Sequence, residues 1–249
     1  MNEFRSPNNR YSNQQSWSSP SQEGVWGGLQ TPTAAQVSVA ERMSFVRKVY
    51  ALFFAATLFA VGGVGLGFAF PPLMILAANH PWLTLFAMLG AVMGAQAVRH
   101  VRGVNLLALF GFTTLTGVII SPLLYLVSQT NPASIIQAGV LTVGIFGGLT
   151  AYVFISKRDF SFLRGMVTTG LIVIILAGLL NVLLVGSTAL GFAVAATSLL
   201  VFAGFVLYDT SNIIRRYPTN EYVAGALSLY LDAFNIFLAL LRILNAGRR

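Results

Sequence analysis

Two acidic residues interrupt apolar sequence near the carboxyl terminus, in Phe205-Val-Leu-Tyr-Asp209-Thr-Ser-Asn-Ile-Ile214 and in Leu229-Tyr-Leu-Asp232-Ala-Phe-Asn235. Each lies in a run long enough to cross a bilayer as a helix, which takes about 20 residues. An ionisable side chain at that depth is costly, so it is a functional-site candidate by default. The other long apolar runs contain no acidic residue. Asp209 and Asp232 are therefore the leading candidates.

The composition indicates a membrane protein. Of the 249 residues, 56% are hydrophobic and 9% are charged, whereas an ordinary soluble domain has about 25% charged residues. The net charge is +8, but the basic residues lie between apolar runs and form no patch with interleaved aromatics, so nucleic acid is not the predicted partner. The chain has no cysteine, which excludes disulfides, thiolate metal sites and cysteine nucleophiles.

A polar segment precedes seven apolar runs. Residues 1–40 are rich in Ser, Asn, Gln, Pro and Gly without apolar periodicity, and we predict a disordered cytoplasmic tail there. Residues 41–249 form the predicted transmembrane domain. Its runs are continuous and not alternating, which predicts helices and not a barrel; they lie near 49–70, 82–98, 104–128, 134–156, 166–186, 189–214 and 222–244. We predict an all-α membrane protein, a bundle of seven transmembrane helices in which short connections make successive helices antiparallel neighbours.

The distribution of Lys and Arg predicts the orientation. Every Lys and Arg before residue 217 falls in the tail or in alternate connections on one side, whereas the loops 71–81, 129–133 and 187–188 contain none. Basic loops stay in the cytoplasm, so we predict a multi-pass protein of the cell inner membrane with a cytoplasmic amino terminus. Seven spans leave Arg248 and Arg249 outside, which leaves open whether the last segment spans or is re-entrant.

Small residues predict where helices pack closely. Glycines recur four residues apart in Gly63-x3-Gly67, Gly90-x3-Gly94 and Gly144-x3-Gly148. Such spacing allows close approach of two helices where lipid offers no hydrophobic gain. We expect these glycines to pack helices within the bundle, and the alternative is that they are motifs for dimer formation.

A polar and small face runs along the last apolar segment. Its members recur at alternating spacings of four and three, which puts them on one side of a helix; they are Glu221, Gly225, Ser228, Asp232, Asn235, Ala239 and Arg242. Such a face must line the bundle interior or a water-filled path. The alternative is a hydrogen-bonding seam between helices that conducts nothing. Asp209 alone could also be an acid satisfied by nearby backbone groups at the loop.

Two carboxylates in one dry site would share a proton, because both cannot ionise at low cost. Carboxylate oxygens also suit calcium, which takes about 6 to 8 oxygen ligands. Asp209 and Asp232, helped by Asn235 and Ser228, predict weak calcium binding on a pathway. We predict no tightly bound cofactor, and calcium as the permeant ion.

Arg99, at the end of the second run, is the nearest candidate counter-charge for Asp209. Paired with Arg99, Asp209 would stay ionised and apart from Asp232; with a shared proton, the two acids would face each other. These two arrangements would form a switch. Arg99 is otherwise an ordinary basic residue of the cytoplasmic side.

The carboxyl-terminal motifs resemble the signature of the Bax inhibitor-1 (transmembrane Bax inhibitor motif) family, in particular bacterial members with a polar amino-terminal tail. They are Phe205-x-x-Tyr208-Asp209-Thr-x-x-Ile213 and Ala226-Leu-x-Leu-Tyr-Leu-Asp232-x-Phe-Asn235-x-Phe237-x-x-Leu-Leu-Arg242-Ile-Leu. The resemblance implies a seven-helix fold with the last helix at its centre and a pH-sensitive calcium leak gated by two aspartates. Those aspartates match Asp209 and Asp232, and the family's latch arginine matches Arg99.

We therefore predict a passive, pH-sensitive calcium-leak channel whose partners are the lipid bilayer, calcium and protons. The predicted sensor and ion pathway consist of Asp209, Asp232, Arg99, Asn235 and Ser228. Other family members are linked to suppression of cell death, and one bacterial branch to modulation of a membrane-bound protease. The alternative is thus a regulator that binds such a protease and transports nothing.

Enzyme signatures are absent from the sequence. It has no nucleophile elbow, phosphate loop or zincin helix, so no enzyme is predicted. An intramembrane aspartyl protease would also use two aspartates on neighbouring helices. Of its expected Tyr-Asp and Gly-x-Gly-Asp contexts, Tyr208-Asp209 fits and Leu231-Asp232 does not. That function is the least favoured of the three.

Overall fold

The computed structural model describes residues 31–101 and 103–246, which form helices joined by short connections. The described helices are α1 (Val39–Ala69), α2 (Pro71–Asn79), α3 (Pro81–Ala97), α4 (Val104–Thr130), α5 (Pro132–Ser156), α6 (Arg164–Leu180), α7 (Thr188–Arg215) and α8 (Tyr222–Ala246). Within these ranges the β-pairing is one isolated bridge between Thr33 and Pro218. The prediction of an all-α membrane protein is confirmed.

The second predicted run, 82–98, forms α3, and a further helix, α2, precedes it across a sharp bend. α2 and α3 are bent by 99° relative to each other, and His80 is the junction. Proline lacks a backbone N–H and disfavours helical geometry at the residue before it, so Pro71 and Pro81 each begin a new helix. Most of the predicted loop 71–81 is therefore helix α2, and the prediction of a loop there is wrong.

α1 and α4 run parallel. Phe59 stacks on Phe110 at a centroid distance of 4.4 Å, and further along both helices Phe68 meets Tyr125 at 6.1 Å. Two parallel helices in a membrane need a return crossing between them, and α2 with α3 supplies it. Together with the six described helices that are each long and apolar enough to span, the broken pair makes seven crossings.

Glycines bring α1 and α4 together. A Cβ added to Gly63 would overlap the carbonyl group of Thr114, and one added to Gly117 would overlap the carbonyl group of Ala60. The first predicted glycine motif therefore packs helices as expected.

The other two glycine motifs do not. A Cβ added to Gly90, Gly94, Gly144 or Gly148 would meet nothing within 4 Å. These faces of α3 and α5 point away from the other described helices, so the prediction of close packing there is wrong.

α8 lies at the centre of the bundle. It packs against α1, α5 and α7 and also touches α4. In its most apolar window 44% of the residues are buried, against at most 33% in the other described spans. α8 contributes few lipid-facing positions because neighbours surround it. The expectation of a central last helix is confirmed.

α8 crosses the bundle completely. Near its start, the Lys48 ammonium group of α1 lies 5.9 Å from the ring centre of Tyr222. Near its end, the amide of Asn245 donates to the hydroxyl of Ser134, 3.1 Å away, at the beginning of α5. The re-entrant alternative for the last segment is thus excluded by the course of the helix.

The order of packing differs from the order of the chain. α5 packs on α7 and α8, and α6 packs on α7. α5 and α6 make at most a marginal contact with each other, so the prediction that successive helices are neighbours is wrong for this pair. A central α8 takes up the surface of α5 that α6 would otherwise use.

Residues 32–36, which we name the amino-terminal strap, are tied to the loop between α7 and α8. The N–H of Ala34 donates to the carbonyl oxygen of Tyr217 at 2.9 Å, and the N–H of Thr219 donates to that of Pro32 at 3.3 Å. Residues 32–40 thus belong to the folded unit. The predicted disorder of residues 1–30 lies outside the described residues.

Candidate functional site

Asp232 is buried in the middle of α8. Only 3% of the surface of this residue is exposed. Its Oδ2 atom has no hydrogen-bond partner among the described residues. A buried carboxylate oxygen without a donor is costly. Asp232 therefore stands out as a group that folding alone does not explain.

Asp209 lies in the last two turns of α7 and is half-buried. α7 and α8 are antiparallel and pack against each other along their length, which brings the end of one beside the first half of the other. A Cβ added to Gly225 of α8 would lie 3.4 Å from Ile213 of α7, so along this antiparallel pair Asp209 and Asp232 lie about one helix turn apart. The structure therefore brings the two predicted aspartates into one region between neighbouring helices.

Tyr217, in the loop between α7 and α8, covers this site from the side of the basic loops. Its hydroxyl lies 3.2 Å from that of Ser228. Burial and then the charge of Asp209, with smaller effects from Glu221 and Asp232, together raise the pKa of Tyr217 to about 12, against the hydrogen bond with Ser228, which lowers it. The sequence analysis missed Tyr217, because Tyr-Pro in a loop shows no periodicity or motif.

Ser228 and Asn235 flank Asp232 on the predicted polar face of α8 but bond elsewhere. Ser228 contacts Tyr217, which puts it at the edge of the acid site. The amide of Asn235 donates to the carbonyl oxygen of Leu231, 2.8 Å away in the same helix. The side-chain amide of Asn235 is thus hydrogen-bonded within α8, and the role of Asn235 in calcium binding stays a prediction.

Arg99 does not pair with Asp209 in this structure. Its Nε donates to Nε2 of His100 at 3.0 Å, and it shares a shallow depression with α8 residues near Ala224. Among the described residues Arg216 forms an ion pair with Asp159 at 2.9 Å, and His100 Nδ1 lies 3.6 Å from the carboxylate of Glu221; neither contact includes Asp209. The latch role of Arg99 stays a prediction.

Three hydroxyl groups from α1, α5 and α7 face one another beside Asp209. The hydroxyl of Tyr50 lies near those of Thr150 and Thr210, but no hydrogen bond of ordinary geometry joins the three to one another or to other described residues. Polar groups of this kind normally bind water. They extend the polar region from the acid pair toward α1 and α5, and Thr210 could have been suspected from its place next to Asp209.

A metal held here would have few strong ligands. Among the described residues, no group of three or more His, Cys, Asp or Glu side chains comes together. Asp209 and Asp232 would supply the charged oxygens, and hydroxyl or backbone oxygens the rest. Calcium prefers about 6 to 8 oxygen ligands, so this donor set fits a weakly held ion.

The chain matches a known family over most of its length. A family model described as "Inhibitor of apoptosis-promoting Bax1" covers residues 42–249. Protein lifeguard 4 of Mus musculus is 34% identical over 215 residues, which are 85% of this chain and 89% of that protein. Bax inhibitor 1 of Schizosaccharomyces pombe is 34% identical over 222 residues, 86% of this chain and 81% of that protein.

A bacterial relative is similar over a shorter region. An uncharacterized membrane protein of Vibrio cholerae is 45% identical over 138 residues, which are 55% of this chain and 61% of that protein. The region matched by the family model contains both aspartates and nearly all of the helical bundle. The chain therefore belongs to the Bax inhibitor-1 family of multi-pass membrane proteins.

Proposed function

We propose that the protein is a passive, pH-sensitive calcium-leak channel of the bacterial inner membrane, with its amino terminus in the cytoplasm. The observation that carries the proposal is the buried Asp232, whose Oδ2 has no donor among the described residues and which lies about one helix turn from Asp209 on the neighbouring helix. Two carboxyl groups that face each other share one proton, and they repel each other when both are ionised.

The arrangement supports a gate between α7 and α8. Loss of the shared proton would put two like charges into one poorly hydrated site, and separation of the helices or entry of a cation would relieve the repulsion. The two positive charges of a calcium ion would balance the two ionised carboxylates. Its weak hold on two aspartates favours passage over storage.

Calcium flux into liposomes tests the proposal. The wild-type protein is expected to give a flux that changes between about pH 6 and pH 8, and Asp209→Asn and Asp232→Asn are each expected to flatten this profile, because an amide cannot titrate. Asp159→Asn is the matched control, since Asp159 is an exposed aspartate on the same side of the bundle. Unchanged rates and pH profiles in both site variants would refute the gating role.

The same preparations separate the other two functions. A protease regulator that transports nothing would give no flux at any pH with the wild-type protein, yet would alter substrate turnover by a co-reconstituted membrane protease. An intramembrane aspartyl protease would cleave peptide in purified form and lose that activity with either asparagine variant.

A further inference from the structure

A cleft of about 470 Å³ opens at the end of the bundle opposite to Tyr217. We name it the outer cleft. It lies between the last turns of α4 and α8, the end of α6 and the start of α7. Residues that line it include Leu123, Gly178, Asn181, Ser187, Arg242 and Asn245.

The lining of the outer cleft changes from apolar to polar toward its rim. Toward the centre of the membrane it consists of residues such as Leu123, Val194 and Leu241. Nearer the helix ends, Asn181, Ser187, Thr188 and Asn245 add polar groups beside Val127 and Ala246. This gradient matches a molecule that is apolar at one end and polar at the other.

Arg242 is the charged residue of this cleft. No other charged side chain lines it, and neither charged contact of the described residues includes Arg242. Arg242 is exposed. Among the described Lys and Arg residues it alone lies toward this end of the bundle, because the others sit at the end where α1 begins. An anion would complement it.

The shape of the cleft is built into the backbone. After α6 the chain widens into one π-helical turn, Asn181–Val185, and then reverses at Gly186 with φ of 62°. The side chain of Asn181 accepts a hydrogen bond from the N–H of Ser187 at 2.9 Å, which fixes this corner. Gly178 leaves room at the cleft, since an added Cβ would meet its nearest neighbour, in Val194, only at 3.9 Å.

We propose that the outer cleft binds one anionic phospholipid. Its phosphate would lie on the guanidinium group of Arg242, which presents paired N–H donors to phosphate oxygens. One acyl chain would run over Val182, which is 81% exposed, into the apolar depth of the cleft. The surrounding bilayer supplies such a molecule with its phosphate at the level of the helix ends.

Native mass spectrometry of the full chain in detergent tests the site. Three probes separate the chemistry: phosphatidylglycerol, a diacylglycerol with the same chains but no phosphate, and inorganic phosphate. We expect one phosphatidylglycerol to bind tightly and the other two probes neither to bind nor to compete. Arg242→Gln is expected to weaken binding about tenfold, as loss of a charge-assisted hydrogen bond does.

Matched variants separate this effect from general charge or folding effects. Arg158→Gln removes one positive charge at the other end of the bundle and should bind as the wild type does. Gly178→Leu should block the cleft without touching Arg242, whereas Gly147→Leu, at a site where an added Cβ meets nothing within 4 Å, should leave binding intact.

Four results would each overturn the proposal: equal binding by Arg242→Gln and the wild type, equal binding of diacylglycerol, competition by inorganic phosphate, or unimpaired binding by Gly178→Leu. Thermal unfolding of each variant in detergent confirms that a loss of binding comes from a folded chain.

Discussion

Outside the membrane, Asp159 between α5 and α6 is an aspartate that its neighbours hold as an anion. It accepts from the N–H of Ser161 at 2.9 Å and from Arg216 at 2.9 Å. These donors, the Ser161 N–H before the Arg216 side chain, lower its pKa from 3.8 to about 2. Asp159 thereby ties the α5–α6 connection to the end of α7, about two helix turns beyond Asp209.

The pH dependence of this tie follows from the sign of the shift. The lowered pKa of Asp159 gives stability that is present above pH 3.8 and is lost as the pH falls toward about 2. Because the Asp159–Arg216 pair is exposed, we expect it to contribute less than about 1 kcal/mol to the free energy of unfolding. Asp159→Asn should therefore unfold at a slightly lower temperature near neutral pH and match the wild type near pH 2. A difference that persists in strong acid would contradict this.

The two acids of the site differ in how well the sequence reveals them. Asp232 is evident, since a carboxylate on a continuous polar face of an apolar helix must point into the bundle or into water and cannot face lipid. Its nearness to Asp209 is not evident, because it depends on the six-residue turn between α7 and α8. A search for periodic patterns cannot find Tyr217 or the contact of Ala34 with it. Both residues lie in irregular backbone, whose contacts form only when the chain is folded.

At the scale of helices, the closest contact is that between α1 and α4. Gly63→Ala should destabilise the protein by about 1–3 kcal/mol, because the new methyl group meets backbone that cannot rotate away. Gly62→Ala is the matched control. An added Cβ there meets nothing within 4 Å, so better helix propensity should stabilise by up to about 1 kcal/mol.

Thermal unfolding in detergent measures both variants. Equal unfolding temperatures for Gly63→Ala and Gly62→Ala would show that α1 and α4 do not approach as closely as described. The other two glycine motifs show that the four-residue spacing alone does not predict close helix packing. Gly90 and Gly144 have the same four-residue repeat, yet their faces meet no helix, because the repeat identifies a smooth face and not its partner.

Across the whole bundle, the helix directions put the start of α1 at Val39 and the end of α8 at Ala246 on opposite sides of the membrane. The absence of native cysteine makes single-cysteine labelling unambiguous. In intact cells with a permeabilised outer membrane, a membrane-impermeant maleimide should label Gln129→Cys and Ala246→Cys. Arg158→Cys should react only after the inner membrane is opened. Protection of Ala246→Cys in intact cells would contradict a complete crossing by α8.

The strap connects the chain before α1 to the acid site. The Ala34–Tyr217 and Thr219–Pro32 hydrogen bonds join it to the loop between the two aspartate-bearing helices. A deletion of residues 1–30 keeps that connection, whereas a deletion of residues 1–40 removes it together with the Ser38 cap of α1. The two truncations are therefore different experiments, because only the longer one changes the packing on the loop of the acid site.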